Sequence, residues 1–154
     1  MRLMKLALVV TLVAAAYGVQ AQADPTVGTW KLNLAKSKYN AGQPPKSSTV
    51  VIAAAGQGIK LTSDTVLADG TARKISYTAS YDGKDAVVTG TPDYDGMSLK
   101  KTANGAEGSR KKAGKVVQTY TRVISADGKT MTVTSTGTTA AGGKVDNVQV
   151  YDKQ

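Results

Sequence analysis

The sequence contains no cysteine, no histidine and no phenylalanine. Without cysteine there is no disulfide framework, and without histidine and cysteine there is no imidazole or thiolate metal site and no Ser–His–Asp or Cys–His nucleophile. Ten of the eleven acidic residues are aspartate, and the single glutamate, Glu107, has no second glutamate to form a catalytic carboxylate pair. We therefore expect no metal, no cofactor and no enzymatic activity. An enzyme built on this chain would depend on Tyr, Arg and Asp alone for acid–base chemistry.

The sequence has one long apolar run, and it lies at the N-terminus. Arg2 and Lys5 form a positively charged segment before an apolar stretch from residue 6 to 16, and Ala21-Gln22-Ala23 offers the small residues of a cleavage site. The stretch is shorter than the roughly 18–20 residues that a membrane span needs. The pattern predicts that residues 1–23 are a cleaved signal peptide, with cleavage after Ala21 as the alternative. We expect a periplasmic or secreted protein that does not span the membrane, with residues 24–154 as its single domain.

The remaining sequence shows the punctuation of a strand meander. Asp-Gly, Asn-Gly and Gly-Gly pairs recur at short intervals and suit the hairpin turns of antiparallel sheets. Residues 35–39 allow one helical turn, and residues 40–46 form a loop with two prolines. The segments between the turns are rich in Thr, Val, Tyr and Ile, which predicts ten strands near 27–34, 47–54, 59–67, 71–81, 85–89, 97–102, 106–112, 115–125, 130–138 and 145–151.

A sheet of this size exposes two edges unless it closes on itself. The predicted fold is therefore all-β: an antiparallel meander closed into a roughly ten-stranded barrel or β-clam. The segment between the first two predicted strands, residues 35–46, is too short and too rich in proline for a helical lid.

Both ends of the predicted domain resemble the calycin superfamily of lipocalin-like barrels. Residues 28–33 read Gly-Thr-Trp-Lys-Leu-Asn and match the lipocalin G-x-W signature, while residues 148–153 read Val-Gln-Val-Tyr-Asp-Lys. Together they resemble the fatty-acid-binding-protein branch, as well as small exported bacterial lipocalin-like proteins. The resemblance implies a barrel that holds an amphiphilic or apolar molecule. It also implies that Trp30 plugs the closed end under a basic side chain, although a ligand-stacking role for Trp30 is the alternative.

The fatty-acid-binding branch anchors the ligand carboxylate with an Arg-x-Tyr pair on the last strand and an arginine two strands earlier. In this chain Tyr151 stands at the tyrosine position, Gln149 replaces the arginine, and Arg122 lies near the other arginine. Gln149 and Tyr151 would then form a neutral polar anchor. Arg122 shares its predicted face with Val116, Gln118, Tyr120 and Ile124, so it lies over Trp30, faces a cavity, or is simply exposed.

Small side chains predict that the interior is not filled. The chain has one Trp and no Phe, and its predicted strands are rich in Thr, Ala, Val, Ser and Gly, whereas barrel diameter grows with strand number. Plain packing is the simplest role for tyrosines on inward faces, but buried hydroxyls also suit the few polar points of an apolar pocket. We predict an exported, non-enzymatic small-molecule binding protein for an amphiphilic or apolar ligand, with candidate ligand-binding residues Tyr77, Tyr81, Tyr120, Arg122, Gln149 and Tyr151.

Basic residues exceed acidic ones, 20 to 11, for a net charge of +9. An electrostatic surface for an anionic envelope component is one interpretation, and a solvated set that protects strand edges is the other. In the alternative function, the barrel is collapsed and this basic face makes the interaction. A nucleic-acid partner is not expected of an exported chain with few aromatic residues. The basic residues concentrate in the sixth to eighth predicted strands: Lys100, Lys101, Arg110, Lys111, Lys112 and Lys115.

Overall fold

A computed structural model describes residues 23–154. The predicted signal peptide, residues 1–23, lies outside the described residues except for Ala23. In the described part, one turn of 3-10 helix spans Leu34–Lys36. The strands are β1 Gly28–Leu32, β2 Lys38–Tyr39, β3 Ser47–Ala55, β4 Gly58–Val66, β5 Ala72–Ser80, β6 Ala86–Thr89, β7 Gly96–Thr102, β8 Gly105–Lys112, β9 Lys115–Ile124, β10 Thr130–Thr138 and β11 Lys144–Lys153.

Ten of these strands close into an antiparallel ring. Each of β3 to β10 pairs with the next strand along the chain, and β1 pairs with both β3 and β11. The first and last strands meet at Trp30, which faces Lys153, and at Leu32, which faces Tyr151. Closure removes the exposed edges that an open sheet would have. The all-β, roughly ten-stranded lipocalin-like barrel predicted from the sequence is confirmed, and no helical lid occurs in the described residues.

The short strand β2 is an addition that the sequence did not predict. The expected helical turn forms at Leu34–Lys36, and the next residues then pair with β11 instead of continuing the turn. Ser37 joins the two segments, because its hydroxyl donates to the Asn33 carbonyl at 2.7 Å and accepts from the Val150 amide at 2.9 Å. The segment that leads to residues 40–46 is thereby fixed against the last strand.

One end of the barrel is filled by the core. Trp30 is fully buried there, and its Nε1 donates to the Thr26 carbonyl at 2.9 Å. Lys153 Nζ lies 5.1 Å from the centre of the Trp30 ring, so Lys153, and not Arg122, covers the indole. Ile52 and Ile59 are also buried in this core. We call this the closed end, and the opposite end, bordered by residues 40–46 and 67–71, the open end.

The wall is least continuous around β6. Only two residue pairs join β5 to β6 and two join β6 to β7, whereas nine pairs join β3 to β4.

Within residues 23–154, no helix has the length and apolar character needed to cross a membrane.

Candidate functional site: a cavity inside the barrel

The open half of the barrel contains a cavity of about 520 Å³. The exposed residues Gln43, Ala68 and Asp69 border it, so it communicates with solvent at the open end. Its volume falls within the range of about 300–1,000 Å³ found for small-molecule sites. The unfilled interior expected from the small side chains of the strands is therefore present.

The cavity wall is mixed, with apolar side chains set among polar and charged ones. Alternation along each strand turns every second side chain inward, and the apolar lining comes from five strands. A hydroxyl cluster lies on β3 and β4, where Ser48 Oγ is 2.8 Å from Thr65 Oγ1 and Ser63 Oγ is 3.2 Å from the same atom. The apolar lining residues are Val50, Leu61, Ile75, Met97, Met131 and Val133, with Leu67 near the mouth.

Arg122 is the most unusual residue of the lining. Its side chain is inside the barrel and only 4% exposed, and its Nη2 donates to the Tyr77 hydroxyl at 3.0 Å. The Nε and Nη1 donors are buried, and no acceptor within residues 23–154 reaches them. No ion pair formed within residues 23–154 includes Arg122. The cavity thus holds a buried cation that has neither a counter-ion nor a full set of hydrogen bonds.

The guanidinium of Arg122 remains charged in this setting. Burial works against the charge, but the neighbouring Tyr77 and Tyr120 favour it, and the pKa of Arg122 is raised above its ordinary value. Because arginine already titrates far above physiological pH, the cavity carries this positive charge under all ordinary conditions.

The position of Arg122 follows from the register of β9. Gln118, Tyr120, Arg122 and Ile124 alternate inward, as predicted, but Val116 is 57% exposed. The expectation that Val116 shares this face is wrong, because a register shift in the pairing with β8 adds one residue to β9 between Val116 and Gln118.

Four of the candidate residues come together in the cavity. Tyr77, Arg122, Gln149 and Tyr151 all line it. Gln149 Nε2 donates to the Tyr39 hydroxyl at 3.1 Å, so β2 holds this side chain in place. Tyr151 is 5% exposed, and burial raises its pKa to about 12. Their role as ligand contacts stays a prediction.

The other two candidate tyrosines are not in the cavity lining. Tyr81 lies at the closed end, where its hydroxyl donates to the Asp24 carboxylate; burial and this carboxylate raise its pKa to about 12. Tyr120 is 3% exposed and packs against β8 at Gly108, where an added Cβ would lie 3.0 Å from the tyrosine hydroxyl. Tyr120 points inward from β9 and Tyr81 directly follows β5, but neither side chain reaches the cavity.

Arg110 is a cavity residue that the sequence reasoning placed elsewhere. It was expected on the outer basic surface, but its position on β8 turns it inward. Its Nη1 donates to Gln118 Oε1 at 2.8 Å and to Ser135 Oγ at 3.3 Å. The guanidinium also lies 5.1 Å from the ring centre of Tyr94 and 4.9 Å from that of Tyr120. Strand alternation, counted from the buried Ala106, could have found it.

The six predicted basic residues consequently do not form one surface. Arg110 is interior, Lys111 pairs with Asp85 at 2.7 Å, and Lys112 pairs with Asp95 at 3.6 Å. The exposed remainder is Lys100, Lys101 and Lys115, and Lys101 Nζ lies 5.7 Å from the Tyr81 ring centre at the closed end. Strand alternation separates these charges, which are adjacent in the sequence.

A charged pair near the open end ties together three segments. Arg73 Nη1 lies 3.4 Å from Asp93 Oδ2, and Asp93 Oδ1 accepts a hydrogen bond from the Ala140 amide at 3.2 Å. This contact links β5, the loop before β7 and the turn between β10 and β11. It neutralises Arg73, a third arginine that lines the cavity.

No protein-family model matches the sequence, and no curated protein matches it. Among solved structures, the chain is similar to the crystal structure of zebrafish ileal bile acid-binding protein complexed with cholic acid, with a TM-score of 0.50 and 14% sequence identity. The match covers 84% of this chain and 99% of the zebrafish chain. An identity this low shows the fold alone. At that level it confirms the lipocalin-like barrel fold predicted from the sequence.

Proposed function

We propose that this protein is an exported, non-enzymatic binding protein that holds a small amphiphile with an anionic head group inside its barrel. The observation that carries the proposal is Arg122, a cation 4% exposed that lines the cavity with two unpaired donors. The structurally similar zebrafish protein is a bile acid-binding protein that was solved with cholic acid, which supports binding over catalysis.

The electrostatics of Arg122 favour an anionic ligand over a neutral one. A buried charge without a partner is costly, and each buried donor without an acceptor costs about 1–3 kcal/mol. A carboxylate or similar oxyanion can accept from Nε and Nη1 at once, as guanidinium and carboxylate groups commonly do. The Tyr77 hydroxyl, already bonded to Nη2, lies beside the same position.

The rest of the cavity fits an apolar body of limited size. Val133 pairs with Arg122 across β9 and β10, and Val50, Leu61 and Met131 continue the apolar lining. At about 30 Å³ for each water molecule in the liquid, a volume of about 520 Å³ accepts a ligand on the order of 15–20 non-hydrogen atoms. A medium-chain acid has this size and polarity.

Competition with a lipophilic fluorescent probe tests the proposal. Anilinonaphthalene sulfonate is bound to the purified protein and displaced with dodecanoic acid or with dodecanol, which has the same chain without the charge. The acid is expected to bind at least about tenfold more tightly than the alcohol, since a charge-assisted hydrogen bond contributes about 1.5–3 kcal/mol.

Two variants separate the charge from general effects. Arg122→Gln is expected to abolish the preference for the acid. Lys60→Gln removes the same charge from an exposed position on β4 and is expected to preserve the preference. Absence of any binding of probe or acid to the folded wild-type protein would refute the proposed function.

The export part of the proposal is supported by the pattern of residues 1–23 alone. Intact mass measurement of the protein recovered from its own host tests it. A mass corresponding to residues 24–154 is expected, and a mass of the full chain would contradict export with cleavage.

A further inference from the structure

The cavity contains a second guanidinium, and no carboxylate in the described part of the chain neutralises it. Three arginines line it, and Asp93 pairs with only one of them, Arg73. Arg110, like Arg122, is absent from the ion pairs formed within residues 23–154. Asp69 also borders the cavity, but it is exposed in a turn and its carboxylate accepts from the Thr71 amide at 2.8 Å. The interior therefore presents two uncompensated positive charges.

The contacts of Arg110 orient its guanidinium without neutralising it. Gln118 and Ser135 are neutral acceptors, and both bonds come from Nη1. The rings of Tyr94 and Tyr120 attract the cation through their electron-rich faces but carry no net charge. In the described part of the chain, Nε and Nη2 form no hydrogen bonds, so they are free to donate to a ligand that enters the cavity.

The two guanidiniums lie at different positions in the barrel. Arg110 pairs with Gln118, which precedes Arg122 by four residues on β9. At about 3.3 Å per residue, this places the two backbone positions about 13 Å apart along the wall. Arg122 then reaches across to Tyr77 on β5, whereas Arg110 is bonded to Gln118 on β9 and Ser135 on β10. One compact head group bound to Arg122 leaves Arg110 uncompensated.

We infer that the ligand carries two separated acidic groups, one bound by Arg122 and the other by Arg110 nearer the open end. The spacer between them is apolar, because Val133 lies beside Arg122 and Met97 pairs with Arg110. This inference rests on the proposed function and narrows its ligand class from anionic amphiphiles to dianionic ones, such as an α,ω-dicarboxylic acid. It assigns Arg110 as the residue that determines this specificity.

Three matched ligands test the inference in the same displacement assay: dodecanoic acid, dodecanedioic acid and dodecyl phosphate. A second carboxylate is strongly hydrated, so an ordinary apolar pocket binds the diacid more weakly than the monoacid. Here the diacid is expected to bind about tenfold more tightly, the effect of one added charge-assisted contact. Dodecyl phosphate carries up to two charges on a single head and is expected to gain less than the diacid.

Variants assign the effect to Arg110. Arg110→Gln is expected to remove the preference for the diacid, so that the diacid binds no more tightly than the monoacid. Lys60→Gln, with the same loss of charge on the outer face, is expected to retain the preference. Circular dichroism verifies that each variant is folded. If Arg110→Gln does not fold, Arg110→Lys takes its place, because it keeps the charge but loses the planar fork and should reduce the preference.

The outcomes distinguish this inference from the proposed function. Equal or weaker binding of the diacid by the wild-type protein overturns the inference, whereas monoacid binding that depends on Arg122 leaves the proposed function standing. A diacid preference that survives in Arg110→Gln also overturns it, as does a preference for dodecyl phosphate over the diacid. Failure of both acids to bind overturns the inference and the function together.

Discussion

Replacing Arg122 by methionine is expected to stabilise the ligand-free protein. Arg122 is 4% exposed and has two buried donors without acceptors. Methionine has a similar reach and an adaptable, apolar side chain, so it fills the same space without a charge. Residues kept for ligand binding commonly lower the stability of the protein that carries them.

The size of the gain follows from the bonds that change. Removing two orphaned donors recovers about 1–3 kcal/mol each, and the Tyr77 hydroxyl, which loses its partner at 3.0 Å, costs about 1–3 kcal/mol in return. The expected net increase in the free energy of unfolding is about 1–3 kcal/mol. For a domain of this length, each kcal/mol corresponds to a shift in Tm of roughly 4 °C.

Urea unfolding of the delipidated protein measures this change, with Tm as a second readout. The double variant Arg122→Met/Tyr77→Phe is expected to be at least as stable as Arg122→Met alone, because it also removes the Tyr77 hydroxyl that has lost its partner. Both variants are expected to lose the preference for the acid over the alcohol. A loss of more than about 1 kcal/mol in Arg122→Met would refute the reasoning. It would mean that the guanidinium is solvated in the empty cavity and contributes to the fold itself.

Two further predictions concern the closed end. Trp30→Leu is expected to lower the free energy of unfolding by about 2–4 kcal/mol, because Trp30 is fully buried. The folded fraction of this variant should bind dodecanoic acid as the wild type does, since Trp30 does not line the cavity. Weaker binding at equal folded fraction would argue against this. Burial acts to raise the pKa of Asp24, but hydrogen bonds from Tyr81 and Thr26 prevail and hold it below the ordinary value of 3.8. Asp24 therefore contributes stability above that value and loses it as pH falls through the folded pKa. Tyr81→Phe should reduce stability at neutral pH, and urea titrations should show the difference from wild type shrinking in acid; a difference independent of pH would contradict this account.

The fold was predictable because two local signals agree throughout the chain. Asp-Gly, Asn-Gly and Gly-Gly pairs indicate turns, and alternating Thr, Val, Tyr and Ile indicate strands. Together they predict all ten strands of the ring. Strand β2 was not found, because two residues carry no measurable period. Lys38 and Tyr39 are extended because they pair with Val148 and Asn147, more than a hundred residues away. No local pattern encodes that contact.

The site was only partly predictable, because alternation gives the face of a strand and not the depth along the barrel. Tyr77 and Tyr81 have the same strand parity, but only Tyr77 reaches the cavity. Tyr81 lies four positions further along the chain, at the closed end, where it bonds to Asp24. Arg110 was misplaced for a different reason. Its basic neighbours in the sequence suggested a common surface, whereas alternation along β8 separates it from Lys111.

The location of the cavity follows from how side-chain size changes along neighbouring strands. From the closed end toward the open end, the inward residues of β3 are Ile52, Val50 and Ser48, and those of β4 run from Ile59 and Leu61 to a serine and a threonine. The side chains of paired residues on β3 and β4 become smaller at the same level, because Ile52 lies opposite Leu61 and Val50 lies opposite a serine. Ten strands fix the circumference of the ring, so this decrease in bulk leaves the upper half unfilled. Total composition predicts that some space remains, but the order of large and small residues along each strand decides that the space lies at the open end, above the Trp30 core and around Arg122.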